Sequence, residues 1–162
     1  MDFNFDIRGF LKPEGKNECT FEELQLNFVE PFDLESTRYQ LLKNLEKYNQ
    51  ELLELLEGHP ITQWINGSFV STKKNPKDID LVTLLDYSIV ETKENKLKKF
   101  TREHSLDHYK IDAYIVKLYP LDHPYYNRTK SDLLYWENWF SKTRLNRRKQ
   151  RFPKGFLELR LK

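Results

Sequence analysis

The chain has one cysteine, one methionine and five glycines in 162 residues, and nowhere a long apolar run. Cys19 alone can form no internal disulfide, which removes the small disulfide-stapled scaffolds from consideration. No window approaches the roughly eighteen apolar residues that cross a bilayer. Residues 1–8 carry no basic segment followed by an apolar stretch, so no secretory leader is read there. There is no Gly/Ser linker, internal repeat or low-complexity tract. The expectation is a cytoplasmic protein with no membrane contact. A net charge of only +2 also excludes a uniform polycation.

Aromatic residues make up 14% and charged residues 32% of the chain, enough for a packed core under a charged exterior. A length of 162 residues fits one domain, read as a helical region over 1–60, a sheet core over 61–118 and a C-terminal helix and tail over 119–162. The charge is uneven. Residues 142–151 hold six cations and no acid, whereas Glu22 to Glu57 is mainly acidic. The basic run is expected to be a solvated helix end, with attraction of phosphate or RNA as its alternative use.

Pro13 and Gly15 mark an irregular entry. Thr20 and Glu23 have the spacing of a capping box, opening a short helix to about Val29. Leu42, Leu45, Tyr48, Leu52 and Leu55 form the apolar stripe of a long helix ending near Leu56. Strands are expected over 61–65, 78–85 and 109–118, with a charged helical crossover over 91–103. Leu133, Trp136 and Phe140 share one face of a helix predicted over 131–144. Residues 155–161 alternate with period two and read as an edge strand. The sum is an α/β (α+β) domain, a central sheet flanked by helices.

The chemistry-bearing stretch runs from Trp64 to Val82. A strand delivers Gly67-Ser68 into a turn, where glycine permits close backbone approach to a ligand. A helix starting there would turn backbone N–H groups and the Ser68 hydroxyl toward an anion. Ten residues on, Asp78 and Asp80 project from one face of a strand, roughly 6 to 7 Å apart. Two carboxylates so placed repel unless a cation lies between them, and Mg²⁺ suits, taking carboxylates together with water and phosphate. Asp112 sits inside a third strand, where an unpartnered carboxylate is costly. Beside Asp78 and Asp80 it would complete a two-metal site and serve as general base. His104 and His108 have a zinc-compatible spacing, but a surface loop is the expected reading. Tyr125, Tyr126, Tyr135, Trp136, Trp139 and Phe140 cluster ahead of the basic run and are expected to pack on the sheet, base stacking being the alternative.

Gly67-Ser68, Asp78-Ile79-Asp80 and a further strand aspartate resemble the signature of the polymerase-beta-type nucleotidyltransferase superfamily. The run from Trp64 to Asp80 also resembles a bacterial family of uncharacterised nucleotidyltransferase-like proteins, with Pro13-Glu14-Gly15 and Pro153-Lys154-Gly155 similar to its two ends. The resemblance implies a mixed sheet flanked by helices, with Gly67 and Ser68 on a nucleoside triphosphate. It implies Asp78 and Asp80 on two Mg²⁺ ions, Mn²⁺ being an alternative, with Asp112 as third carboxylate. Minimal members carry a second Gly and an Arg after Gly-Ser; this chain has Phe69 and Val70, then Lys73, Lys74 and Lys77, which would meet phosphates as point charges. The implied activity is transfer of a nucleoside monophosphate to a hydroxyl of a protein, an RNA or a small molecule, by analogy in a toxin–antitoxin or phage-defence system. With little room for a substrate domain, a second subunit or partner protein is expected to complete the acceptor site. A catalytically inactive module binding nucleotide, RNA or a partner protein is the first alternative. A sugar-nucleotide enzyme using Asp-x-Asp is the second, disfavoured by the upstream Gly-Ser.

Overall fold

The computed structural model describes residues 3–162. It is an α+β fold built on a mixed five-stranded sheet, with a two-stranded ribbon of β1 (Asn4–Phe5) and β2 (Leu11–Lys12) beside it. The sheet contains β3 (Gly15–Cys19), β4 (Ile61–Asn66), β5 (Ile79–Asp86), β6 (Ile111–Leu118) and β7 (Gly155–Leu161), in the order β3-β7-β4-β5-β6.

The predicted capping box forms. Thr20 Oγ1 accepts from the Glu23 N–H at 3.1 Å and Glu23 accepts from the Thr20 N–H at 3.0 Å, opening α1 (Phe21–Phe28). In α2 (Thr37–Leu55), Leu42, Leu45, Tyr48 and Leu52 are buried as their spacing requires. They pack on the sheet face formed by Ile65, Ile79, Leu81, Ile111, Ala113 and Leu157. Removing each such side chain from water contributes about 1.5–3 kcal/mol.

Parallel strands need a crossover, and β5 reaches β6 through two helices rather than one, α3 (Tyr87–Leu97) and α4 (Arg102–Tyr109). His104 and His108 therefore lie on a helix and not on the expected surface loop, His108 Nδ1 meeting the His104 carbonyl at 2.9 Å. The opposite sheet face, with Trp64, Val82, Val116 and Phe156, is covered by Phe140, Trp136 and Leu133 of α5 (Tyr126–Phe140).

Three expectations are corrected. β7 is not an edge strand: it lies between β3 and β4, parallel to the first and antiparallel to the second, and its alternation comes from Glu158 and Arg160, with Glu158 held in bonds to the Trp64 indole and Arg160. The N-terminal entry is not irregular, because β3 pairs with β7 from Gly15 to Cys19. Helix α5 starts and ends earlier than predicted, so residues 142–151 are not a helix end. They fold into a loop closed by a bridge between Lys142 and Pro153, with Asn146 Oδ1 accepting from the N–H groups of Arg148 and Gln150. No helix among the described residues is long and apolar enough to cross a membrane.

Candidate functional site

Strand β4 ends at Asn66, opposite Asp80 on antiparallel β5, and Asp80 lies opposite Asp112 on parallel β6. Sheet register thus brings one amide and two carboxylates side by side on one face. Gly67 follows at φ 81°, ψ −162°, a region open essentially only to glycine. A β-carbon there would stand 1.8 Å from Asp80 Oδ2, so the carboxylate occupies the space that the missing side chain leaves. One 3₁₀ turn, Ser68–Val70, then buries Phe69 and Val70 and holds Ser68 at the surface of the cleft.

The electrostatics are those of crowded acids. Burial raises the pKa of Asp80, and the like charges of Asp78 and Asp112 raise it further, against the attraction of Arg144 and Lys154. Asp112 Oδ2 accepts from Arg102 at 2.8 Å, and Arg102 also bonds the Tyr114 hydroxyl at 2.7 Å. Asp112 Oδ1 is buried with no hydrogen-bond partner. Lys154 is only 5% exposed and donates to Asn66 Oδ1. Burial brings its ammonium down to about 8, with Asp80 opposing that shift. Its position is fixed by the backbone: Lys154 N–H donates to Ser141 and its carbonyl accepts from Gly15. The next residue, Gly155, leaves no room for a side chain, since a β-carbon would lie 2.4 Å from the Pro13 carbonyl.

The loop after Gly67 is held by a residue that sequence reasoning passed over. Arg38 of α2 is fully buried and donates to the carbonyls of Phe28, Ser68, Phe69, Ser71 and Lys73 at 2.6–3.3 Å. Its charge is met by carbonyl dipoles, and burial pulls its pKa down to about 10. A single guanidinium therefore fixes the whole Ser68–Lys73 segment.

These elements wall a cleft of about 1080 Å³. Its lining includes nine cations (Arg8, Lys73, Lys77, Lys142, Arg144, Arg147, Arg148, Arg151 and Lys154) against two acids, Asp78 and Asp80. Such an excess suits a polyanion. A second cavity of about 240 Å³ adjoins it across Asp80, with Asp112 and Arg102 in its wall.

Of the residues singled out from sequence, Gly67, Ser68, Lys73, Lys77, Asp78 and Asp80 line the large cleft, and Asp112 lines the small one. Lys74 is not brought to either; it pairs with Asp33 at 2.6 Å. Lys154, Asn66, Arg38, Arg102 and Arg144 were missed. Asn66 lay in the Trp64–Asp80 motif, Arg144 in the basic run and Lys154 in Pro153-Lys154-Gly155, but none was assigned a role, and Arg38 and Arg102 carried no signal. Hard oxygen donors are what Mg²⁺ takes. The repulsion at Asp80 and the orphaned Asp112 oxygen are what a bound cation would relieve, so the residues fit. Among the described residues no three His, Cys, Asp or Glu side chains are already gathered as a metal centre, Asp112 being drawn toward Arg102.

The fold and site thus define an α+β protein with paired carboxylates at the floor of a cationic cleft. The chain belongs to a family of unknown function (DUF6932), whose model matches residues 3–160. No curated protein and no solved structure matches it significantly.

Proposed function

We propose that this protein is a magnesium-dependent nucleotidyltransferase that moves a nucleoside monophosphate from a nucleoside triphosphate to a hydroxyl acceptor. The observation that carries the reading is the pairing of Asp80 with Asp112 in sheet register beneath a cleft lined by nine cations and Gly67-Ser68. Acids are repelled by a polyphosphate, so their place on that floor calls for a bridging cation.

In this reading Asp78, Asp80 and the free oxygen of Asp112 would hold the metal, which supplies Lewis-acid neutralisation of phosphate charge. The triphosphate lies over Gly67-Ser68, where the glycine lets phosphate approach the backbone, and Lys73, Lys77 and Lys154 neutralise its outer oxygens. The acceptor oxygen forms a bond to the α-phosphorus as the bond from that phosphorus to the β-bridging oxygen breaks. Pyrophosphate leaves with the electron pair, and the hydroxyl proton passes to Asp112. Preorganised charge of this kind acts most strongly where water is excluded.

Incubation with each α-³²P-labelled nucleoside triphosphate and Mg²⁺, alone and with cell extract, tests the reading. Label should move to an acceptor with the native chain and not with Asp78→Ala/Asp80→Ala. Absence of transfer with every nucleotide would refute it. The Arg102–Asp112 ion pair favours a second reading, a module that binds Mg²⁺-nucleotide without turnover, because the candidate base is already engaged. In that case the native chain binds nucleotide, the mutant does not, and no pyrophosphate is released.

A further inference from the structure

Resting on that reading, we propose that the smaller cavity is an acceptor subsite for the terminal nucleotide of a single-stranded nucleic acid. Asp80 belongs to both cavities, whereas Asp112 belongs to the smaller one alone. The acceptor hydroxyl must lie near Asp112, so whatever enters from that side presents the hydroxyl. The walls there are Tyr114, Tyr135, Trp136 and Trp139, with Arg102 and Arg144.

That composition combines π-faces with guanidinium groups, the pairing that binds a base and its phosphate. Tyr135 and Trp139 are 58% and 44% exposed on α5, so the sheet does not consume their faces. Their rings are parallel to within 5° at a centroid separation of 6.5 Å. The Arg151 guanidinium stands 5.1 Å from the Trp139 ring, linking this platform to the loop over 142–151. That loop continues the path with Arg147, Arg148 and Lys149, all exposed. A strand whose last base rests on Tyr135 and Trp139 would lay its preceding phosphates along those cations. A neutral small acceptor would leave the loop's charge unused, and a protein segment would have to be strongly acidic.

The test measures fluorescence anisotropy of fluorescein-labelled single-stranded RNA and DNA octamers on the full chain, with Mg²⁺·ATP binding followed separately by calorimetry. Tyr135 lines only the smaller cavity. Tyr135→Ala should weaken octamer binding about 5- to 150-fold, the loss of one stacked base, while Tyr135→Phe binds like the native chain. Native affinity should fall with salt at a log–log slope of about −2 to −3, as for three or four phosphates. A preference for RNA or for DNA identifies the sugar and supports the subsite in either case. Failure to bind either octamer, equal binding by Tyr135→Ala, or labelling of a protein but no oligonucleotide would overturn it. Octamer binding that depends on Tyr135, in a chain that binds no Mg²⁺·ATP, would leave the smaller cavity a nucleic-acid site, overturn its acceptor role and sink the nucleotidyltransferase reading.

Discussion

Replacing Gly67 by alanine tests how the site is built, because two separable costs meet at one atom. The first is conformational: at φ 81°, ψ −162° a side chain costs on the order of 1–3 kcal/mol. The second is steric. The new β-carbon would lie 1.8 Å from Asp80 Oδ2 and 2.9 Å from its Cγ, so the carboxylate must swing off its rotamer, for about 0.5–1.5 kcal/mol. Together they come to about 3 kcal/mol, a fall in melting temperature of about 6–12 °C for a domain of this size. A double-mutant cycle separates them. In an Asp80→Ala background the steric cost vanishes and the backbone cost stays, leaving a coupling energy of about 1 kcal/mol. Urea denaturation of the four proteins, in metal-free buffer, measures this. A neutral Gly67→Ala would refute the backbone argument. Strict additivity with Asp80→Ala would show that the carboxylate does not occupy the glycine's space.

Asp80→Asn should raise metal-free stability at pH 7. The native pKa is raised, so the folded chain holds the extra proton between the ordinary and the shifted value, and stability falls as pH rises through that window. The mutant's advantage, read by thermal melting, should shrink as pH is lowered toward 4, and Mg²⁺ at about 100 times its dissociation constant should restore about 2.7 kcal/mol to the native chain alone. Lys154 loses its charge above about pH 8, so affinity for Mg²⁺·ATP should drop up to about tenfold between pH 7 and 9. Lys154→Arg, tested by calorimetry, should hold its affinity across that range. Arg38→Met leaves five carbonyls without their donor and should cost about 3–5 kcal/mol in urea denaturation. Arg38→Lys should recover little of it, since an ammonium cannot span the same fork.

The parts of this fold that local rules govern could be read from the chain. The Thr20–Glu23 capping box, the Leu42 to Leu52 stripe and the strand carrying Ile79 and Asp80 each depend on neighbours within a few residues, whereas Asp78, expected on that strand, lies in the loop just before it. The misreadings fall where long-range pairing decides. Alternation in residues 155–161 reads as one wet face, yet β7 sits inside the sheet, where Glu158 bonds the Trp64 indole and Arg160. An ion-paired glutamate and a surface one look alike in sequence. The same holds for Arg38, whose five carbonyls lie 10 to 35 residues away and leave no motif.

The central position of β7 also accounts for how the site is completed. Asp80 and Asp112 are neighbours because β5 and β6 are parallel, but the one cation on those strands, Lys117, pairs with Glu91 instead of with them. β7 brings one from the far end of the chain. Its first pair, Gly15 with Gly155, fixes the strand's start against β3, and the residue just before it is Lys154, beneath Asn66. The loop over 142–151 is therefore tethered at Phe140 by α5 and at Lys154 by β7, and lines the same cleft as Asp78 and Asp80. A basic run that would read as an exposed helix end becomes the wall of the cleft, because the last strand returns to a place inside the sheet, between β3 and β4. Removing residues 156–162 should for that reason separate β3 from β4 and abolish the cleft, read as loss of the cooperative urea transition and of Mg²⁺·ATP binding, not merely fray an edge.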